Sequence, residues 1–204
     1  MNETMLAIVK PAAAPGARLE RLPLPAIGAR DVLVRVRAAT ICGTDLHIYK
    51  WDTWAQSRLR PPLVFGHEFC GDVVAIGDEV ETVNVGDYIS AESHIVCGHC
   101  YPCRTGASHI CRNVKIIGID RQGCFAQYVT IPATNAWRND PGLPPAIASA
   151  QEPFGNAVHT AFATTLTAKR VLITGCGPIG LFAVGIAAAA GAERIFATDV
   201  NMRR

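Results

Sequence analysis

Residues 171–180 read VLITGCGPIG, and they divide the chain into two kinds of sequence. The first four residues predict a short apolar strand, and Gly175, Gly177 and Gly180 follow it in the spacing G-x-G-x-x-G. Pro178 stands in the first turn of the helix that we expect next, where its missing N–H costs nothing. A glycine turn before a helix N-terminus can cradle a pyrophosphate. The alternative is a glycine turn in an ordinary strand–helix–strand unit.

An acidic residue downstream of this turn favours the dinucleotide interpretation. Asp199 lies 19 residues beyond Gly180, at the end of a second predicted strand. A carboxylate at that place accepts hydrogen bonds from ribose hydroxyls and repels a 2′-phosphate, so the loop predicts NAD rather than NADP. Arg203 and Arg204 weaken the preference, because either guanidinium could pair with a phosphate or with ribose oxygens.

Composition excludes several classes of protein. Residues 171–192 form a run of 22 uncharged residues, but glycine and proline interrupt it, so we do not expect a membrane helix. A net charge of +2 gives no argument for nucleic acid or a membrane surface. Because the first twenty residues contain no apolar leader and the eight cysteines suit reduced thiols, we expect a cytoplasmic protein.

The part of the chain before the glycine turn is rich in strand patterns. Val32, Val34 and Val36 alternate with other residues in the period of a half-buried strand. The predicted strands cover residues 5–10, 32–37, 72–76, 87–91 and 125–131. Later we expect helices at 156–165 and 178–190 and strands at 170–174 and 195–198. This order predicts a mixed α/β fold, with a small β-rich domain followed by the start of an α/β domain.

Four cysteines form the densest group of metal-binding residues. They have the spacing C-x2-C-x2-C-x7-C and are Cys97, Cys100, Cys103 and Cys111. Zinc accepts four thiolates in a closed tetrahedral shell, which is structural and leaves no open position for chemistry. An iron–sulfur cluster is the alternative metal, but its common bacterial run places the fourth cysteine closer and follows it with proline. We therefore predict structural zinc.

A second set of metal-binding residue types is dispersed along the chain. Cys42, His67, Glu68 and Glu152 could supply the three or four protein ligands of a catalytic metal with one exchangeable position. Each also has a plain structural interpretation: a buried cysteine, a core histidine, and surface or helix-capping acids. The sequence motifs around these residues favour the metal site.

The sequence from Gly66 to Gly71, GHEFCG, followed by Gly77 and Val80, resembles the zinc signature of the medium-chain alcohol dehydrogenases. Residues 42–45 (CGTD), the four-cysteine segment and the glycine turn occur in that family's order and spacing. Residues 42–49, 51–56 and 151–160 are most similar to the branch of the family that oxidises the 3-hydroxyl of L-threonine to 2-amino-3-oxobutanoate. A sorbitol-type polyol or secondary-alcohol dehydrogenase is the alternative within the family.

The resemblance implies a role for each candidate residue. It implies a GroES-like catalytic domain at 1–153 with a structural zinc lobe at 97–111, and a partial Rossmann NAD-binding domain at 154–204. Cys42, His67 and Glu68 would hold a catalytic zinc, and Glu152 would be a further ligand or an acid just outside the shell. Thr44 would take the substrate proton and pass it through His47. The NAD contacts would be Gly175, Gly177, Ile179, Gly180, Asp199 and Arg204.

The resemblance also implies what the chain lacks. A dinucleotide fold needs two βαβαβ halves, and only the first strand–helix–strand is present. We therefore expect a C-terminally truncated segment of a longer enzyme, tetrameric when whole, that binds two zinc ions and turns over poorly alone. A non-catalytic module stabilised by zinc is the alternative outside the enzymes.

Overall fold

The computed structural model describes residues 3–203 and contains two compact units, the first ending at Ala150 and the second starting at Gln151. In the first unit the strands are β1 (Thr4–Lys10), β2 (Arg18–Pro23), β3 (Asp31–Thr40), β4 (Leu63–Val64), β5 (Glu68–Ile76), β6 (Tyr88–Ala91), β7 (His94–Ile95), β8 (Lys115–Ile116), β9 (Tyr128–Pro132) and β10 (Ala136–Arg138). Its helices are α1 (Gly43–Lys50), α2 (Thr53–Arg58), α3 (Tyr101–Arg104) and α4 (Pro145–Ala148), with 3-10 turns at Ser108–Ile110 and Ala133–Asn135.

A five-stranded antiparallel sheet in the order β10-β6-β5-β3-β9 is the centre of this unit. Its buried face carries Val32 and Val34 of β3, Phe69 and Val73 of β5 and Ile131 of β9. These β-branched and aromatic side chains are the types that pack well on a pleated surface. The sheet therefore supplies a rigid frame from whose strand ends the candidate metal ligands project.

Two smaller sheets complete the first unit. Strands β2, β1 and β4 form an antiparallel sheet in that order, and β7 pairs with β8 at the base of the four-cysteine segment. Helices α1 and α2 lie between β3 and β4 in the chain and pack around a second core of Ile48, Ala55, Leu59 and Phe65. Neither helix is long enough to be stable alone, so this packing holds them.

The second unit is one strand–helix–strand motif preceded by a helix. It contains α5 (Gln151–Ala161), β11 (Arg170–Thr174), α6 (Pro178–Ala189) and β12 (Arg194–Thr198). Strands β11 and β12 are parallel and in register from Arg170 with Arg194 to Thr174 with Thr198. The mixed α/β fold class is thus confirmed. Within residues 3–203, no helix has the length and hydropathy needed to span a membrane.

Several predicted element boundaries were wrong. The helix predicted at 156–165 is α5 and runs from Gln151 to Ala161, because Gln151 and Glu152 suit a first turn and β-branched Thr164 and Thr165 do not suit a last one. Strand β9 begins three residues later than predicted, at Tyr128. Strand β5 begins at Glu68, four residues before the predicted start at 72.

Candidate functional site

The four cysteines converge in a small lobe between β7 and β8. Their four Sγ atoms all lie within 4.8 Å of one another. Cys100 Sγ is 3.5 Å from Cys103 Sγ and 3.8 Å from Cys111 Sγ. A tetrahedron with metal–sulfur bonds of about 2.3 Å has edges of about 3.8 Å, so these separations fit a four-thiolate zinc site.

Donors around the lobe stabilise ionised sulfur. The backbone N–H of Cys97 donates to Cys111 Sγ at 3.3 Å, and Asn113 donates through its backbone N–H to Cys111 Sγ at 3.4 Å. The Asn113 side-chain amide, 3.5 Å from Cys97 Sγ, is the main cause that lowers the pKa of Cys97 to about 5. Desolvation raises the pKa of Cys103 to about 12. Four crowded thiols with such opposed tendencies can all ionise only beside a cation, which zinc would supply.

The second cluster joins the start of α1 to the start of β5. Cys42 is the N-cap residue of α1, while His67 precedes β5 and Glu68 opens it. One ligand atom from each of these three residues lies within 4.8 Å of the others. His67 and Glu68 are buried, with 5% and 4% of their surfaces exposed. Buried acid and imidazole beside a thiol form a donor set that suits a catalytic zinc ion.

The turn before β5 depends on Gly66. Its φ of +87° lies in the left-handed region, and a Cβ there would stand 2.5 Å from the Phe125 ring. Beyond it, Thr40 Oγ1 donates to Glu68 Oε2 at 2.5 Å, which fixes one carboxylate oxygen and leaves the other for a metal. Local backbone geometry therefore aims His67 and Glu68 towards Cys42.

Asp45 is a site residue that the sequence analysis did not identify. Its side chain is 2% exposed, and Oδ2 accepts the backbone N–H of Cys42 at 2.8 Å. Oδ1 lies 3.9 Å from His67 Nδ1. Burial raises the pKa of Asp45, and only proximity to cationic partners or donors can keep the carboxylate ionised. At 3.9 Å the carboxylate acts on the histidine by its charge rather than through a hydrogen bond, and the only sequence signal was an Asp three residues after an N-cap cysteine.

Thr44 and His47 lie one helical turn apart on α1. Thr44 Oγ1 is 3.6 Å from Cys42 Sγ, so its hydroxyl stands at the second cluster. His47 Nδ1 makes a short contact with Asp52 Oδ2, and its ring centre is 5.9 Å from that of Trp54. The His47 side chain is 56% exposed, which gives it access to solvent. The proton path from Thr44 through His47 stays a prediction.

Glu152 stands apart in the chain from the other candidate ligands. It lies in the first turn of α5, in the second unit, and Asn156 Nδ2 is 3.3 Å from its carboxylate. Cys42, His67 and Glu68 belong to the first unit. The role of Glu152 at the metal stays a prediction.

The glycine turn in the second unit has the backbone that the motif predicts. Gly175 has a φ of +96°, and a Cβ on Gly180 would stand 1.8 Å from the Gly175 carbonyl oxygen. Gly177 is the N-cap of α6, and Ile179, in its first turn, is half exposed. The first turn of α6 thus packs against the glycine turn with no room for a side chain at position 180, as the dinucleotide motif requires.

Asp199 is tied to this turn. Its Oδ2 accepts the backbone N–H of Cys176 at 2.8 Å, and its Oδ1 accepts that of Asn201 at 2.7 Å. The predicted ribose contact would therefore share oxygens that already order the turn. Arg204, the remaining predicted NAD contact, lies outside the described residues.

A β-rich unit with a four-cysteine lobe and a Cys–His–Glu cluster whose histidine and glutamate are buried, followed by a glycine turn, is typical of the zinc-type alcohol dehydrogenases. The family model for the alcohol dehydrogenase GroES-like domain matches residues 28–141. The chain therefore belongs to the medium-chain alcohol dehydrogenase family, and the resemblance found in the sequence is confirmed.

Individual relatives agree with this assignment. An L-threonine 3-dehydrogenase of Symbiobacterium thermophilum is 56% identical over 204 residues, which are 100% of this chain and 58% of that protein. The solved galactitol-1-phosphate dehydrogenase of Escherichia coli has a TM-score of 0.90 and 27% identity, covering 98% of this chain and 57% of its own. A zinc-binding dehydrogenase of Sinorhizobium meliloti bound to NADP has a TM-score of 0.89 and 33% identity, with 98% and 57% coverage. The chain thus spans a little over half the length of its relatives.

Proposed function

We propose that this chain is part of an NAD-dependent enzyme that oxidises the 3-hydroxyl of L-threonine to 2-amino-3-oxobutanoate. The observation that carries the proposal is the Cys42–His67–Glu68 cluster, with the Thr44 hydroxyl 3.6 Å from Cys42 Sγ. The 56% identity to a protein named L-threonine 3-dehydrogenase supports the substrate. In the cell we expect a cytoplasmic homotetramer of the full-length enzyme.

Two separate donor sets support a count of two zinc ions in the chain. Cys42, His67 and Glu68 would hold the catalytic ion, with Glu152 as a further ligand or an adjacent acid, and the four lobe cysteines would hold a structural ion. When bound, the catalytic zinc supplies Lewis-acid polarisation of the hydroxyl, and NAD accepts the hydride. Neither task is one that this chain's own side chains can perform.

The chain's own residues bind the cofactor and move the proton. Gly175, Gly177 and Gly180 let backbone N–H groups at the start of α6 hold the pyrophosphate, and Ile179 and Asp199 contact the nucleoside. Thr44 Oγ1 accepts the proton of the substrate hydroxyl while donating its own to His47. His47 releases that proton to solvent, because its side chain is exposed.

A matched pair of variants tests the proposal. In the full-length enzyme, Thr44→Val keeps the shape and removes the hydroxyl, so kcat for L-threonine should fall about 100-fold. Thr44→Ser keeps the hydroxyl and should remain within about tenfold of wild type. Equal activity of the Val and Ser variants would contradict the proton path. The 204-residue chain alone should form little NADH with threonine.

A polyol dehydrogenase is the second candidate. The TM-score of 0.90 to galactitol-1-phosphate dehydrogenase favours it, since that protein's name indicates a polyol phosphate. Assays of the full-length enzyme with L-threonine, sorbitol and galactitol 1-phosphate at equal concentrations separate the two. The substrate with the highest kcat/KM decides between them, and a protein that binds zinc but oxidises none would be a non-catalytic module.

A further inference from the structure

His47 is held by a carboxylate that has no assigned role in the reaction. Its Nδ1 contacts Asp52 Oδ2, and its ring rests against Trp54. An ionised carboxylate has no proton to donate, so it acts only as a hydrogen-bond acceptor. The hydrogen bond from His47 lowers the pKa of Asp52, so the ionised form is favoured and Nδ1 must be the donor.

The backbone between α1 and α2 aims Asp52 at this nitrogen. Trp51 ends α1 with a φ of 56°, and its N–H donates to the carbonyl oxygen of His47 at 2.9 Å. The N–H of Asp52 reaches the same carbonyl at 3.4 Å. The chain therefore folds back on His47 after α1, and this turn brings the Asp52 carboxylate to the His47 ring.

A buried lysine fixes this turn. Lys10 is fully buried, and its Nζ donates to the carbonyl oxygen of Tyr49 at 3.2 Å and lies 5.1 Å from the centre of the Trp51 ring. Both contacts fall on the last residues of the α1 corner. The position of Asp52 is therefore set by the contacts of Lys10 with Tyr49 and Trp51 as well as by its own contacts.

The two oxygens of Asp52 have different partners. Oδ1 accepts the backbone N–H of Ala55 at 3.1 Å and caps α2, while Oδ2 contacts His47 Nδ1. A backbone N–H can only donate, so any replacement must keep an acceptor on that side to preserve the cap. In an asparagine, the amide oxygen would satisfy Ala55 and the amide NH2 would then face His47.

We propose that Asp52 is a positioning residue that fixes the His47 tautomer with its proton on Nδ1 and leaves Nε2 as the nitrogen that receives the relayed proton. The catalytic meaning of this arrangement rests on the proposed function. His47 takes the proton from Thr44 at Nε2, keeps its own proton at Nδ1, and becomes an imidazolium beside the Asp52 carboxylate. Loss of the Nε2 proton to solvent restores the neutral ring, so protons and charge balance.

Two substitutions separate this role from helix capping. Asp52→Asn retains a good cap but turns a donor towards Nδ1, which favours the opposite tautomer with the proton on Nε2. Asp52→Ser also caps α2, but its hydroxyl is too short to reach His47 and imposes neither tautomer. Stability should therefore be nearly equal in the three proteins, whereas the tautomer should differ.

The direct readout is the ¹⁵N spectrum of the 204-residue chain labelled at histidine, recorded under alkaline conditions where imidazoles are neutral. The wild-type spectrum should show His47 with a protonated Nδ1 and a bare Nε2, identified by comparison with His47→Gln. Asp52→Asn should exchange these two signals, and Asp52→Ser should give a mixture. A wild-type ring with bare Nδ1, or an unchanged tautomer in Asp52→Asn, would overturn the proposal.

Kinetics of the full-length enzyme with L-threonine give the second readout. We expect kcat to fall about 100-fold in Asp52→Asn and less, about 10-fold, in Asp52→Ser, with little change in KM. A capping role alone would predict no loss in Asp52→Asn. If the tautomer exchanges while kcat does not change, the positioning of His47 stands and the proton path of the proposed function fails.

Discussion

The buried ammonium group of Lys10 lies 5.1 Å from the centre of the Trp51 ring. It also donates to the carbonyl oxygens of Ala14, Gly16 and Tyr49, so the charge is matched by acceptors and by the aromatic face. Burial lowers the pKa of Lys10, which shows the cost that these contacts must offset.

Lys10→Met tests this contact, because it keeps the volume of the side chain and removes its donors. We expect the free energy of unfolding to fall by about 2 kcal/mol in urea denaturation. Lys50→Met is the control, because Lys50 is an exposed lysine at the end of α1. This variant should change the free energy of unfolding by less than about 0.5 kcal/mol. Equal losses in the two variants would show that the buried contacts contribute nothing.

Gly66 and Gly86 share a left-handed backbone but differ in their surroundings. Their φ angles are +87° and +97°, yet a Cβ on Gly66 would meet Phe125 at 2.5 Å and a Cβ on Gly86 would meet nothing within 4 Å. Gly86→Ala should therefore cost about 1 kcal/mol of strain, and Gly66→Ala about 3–5 kcal/mol of strain and overpacking. Thermal unfolding measures both, and zinc analysis of Gly66→Ala should also show loss at the second cluster.

The strands that sequence predicted are those with repeated β-branched residues. Val32, Val34 and Val36 mark β3 because alternation on a half-buried sheet is a local property. Helices α1 and α2 were not predicted. Helix α1 buries only Asp45 and Ile48, and helix α2 buries only Ala55, so their stability comes from packing and caps rather than from an apolar stripe.

The candidate site divides in the same way. Cys42, His67 and Glu68 belong to short sequence motifs that a family resemblance can identify. Asp45 and Asp52 act through residues whose proximity depends on the folded chain. Asp45 approaches His67 from 22 positions away, and Asp52 reaches His47 only because Trp51 adopts a left-handed conformation. Both aspartates lie inside the quoted motifs, but the motifs do not show which histidine each one contacts.

The Arg58–Asp120 pair should make stability depend on acid pH. Both guanidinium–carboxylate contacts measure 2.5 Å, and the hydrogen bond from Arg58 lowers the pKa of Asp120. Between the folded and unfolded pKa values the unfolded chain binds more protons, so this stabilisation is present above the unfolded value of about 4 and is lost as pH falls through the folded value.

Asp120→Asn removes this dependence. Partial exposure of Arg58 screens the pair, so we expect a loss of about 1 kcal/mol at neutral pH that shrinks towards zero as the pH falls through the folded pKa of Asp120. Urea denaturation at a series of pH values measures the difference from wild type. The exposed Asp78→Asn carries the same charge change and should not reproduce it. A pH-independent difference would mean that Asp120 acts by shape alone.

Metal content distinguishes the two cysteine clusters. We expect two zinc ions per chain in the protein purified with zinc, and one in either Cys97→Ser or Cys42→Ser, because a shell that loses a thiolate binds zinc far more weakly. Cys97→Ser and Cys42→Ser should also differ in stability. The lobe has few buried apolar residues and depends on its ion, whereas the second cluster lies beside the core of the five-stranded sheet. Cys97→Ser should therefore lower the unfolding temperature more than Cys42→Ser does. Cys176→Ala, at a thiol outside both clusters, is the control and should retain two ions. One zinc ion in the wild-type chain, lost only in Cys97→Ser, would contradict a catalytic metal at Cys42.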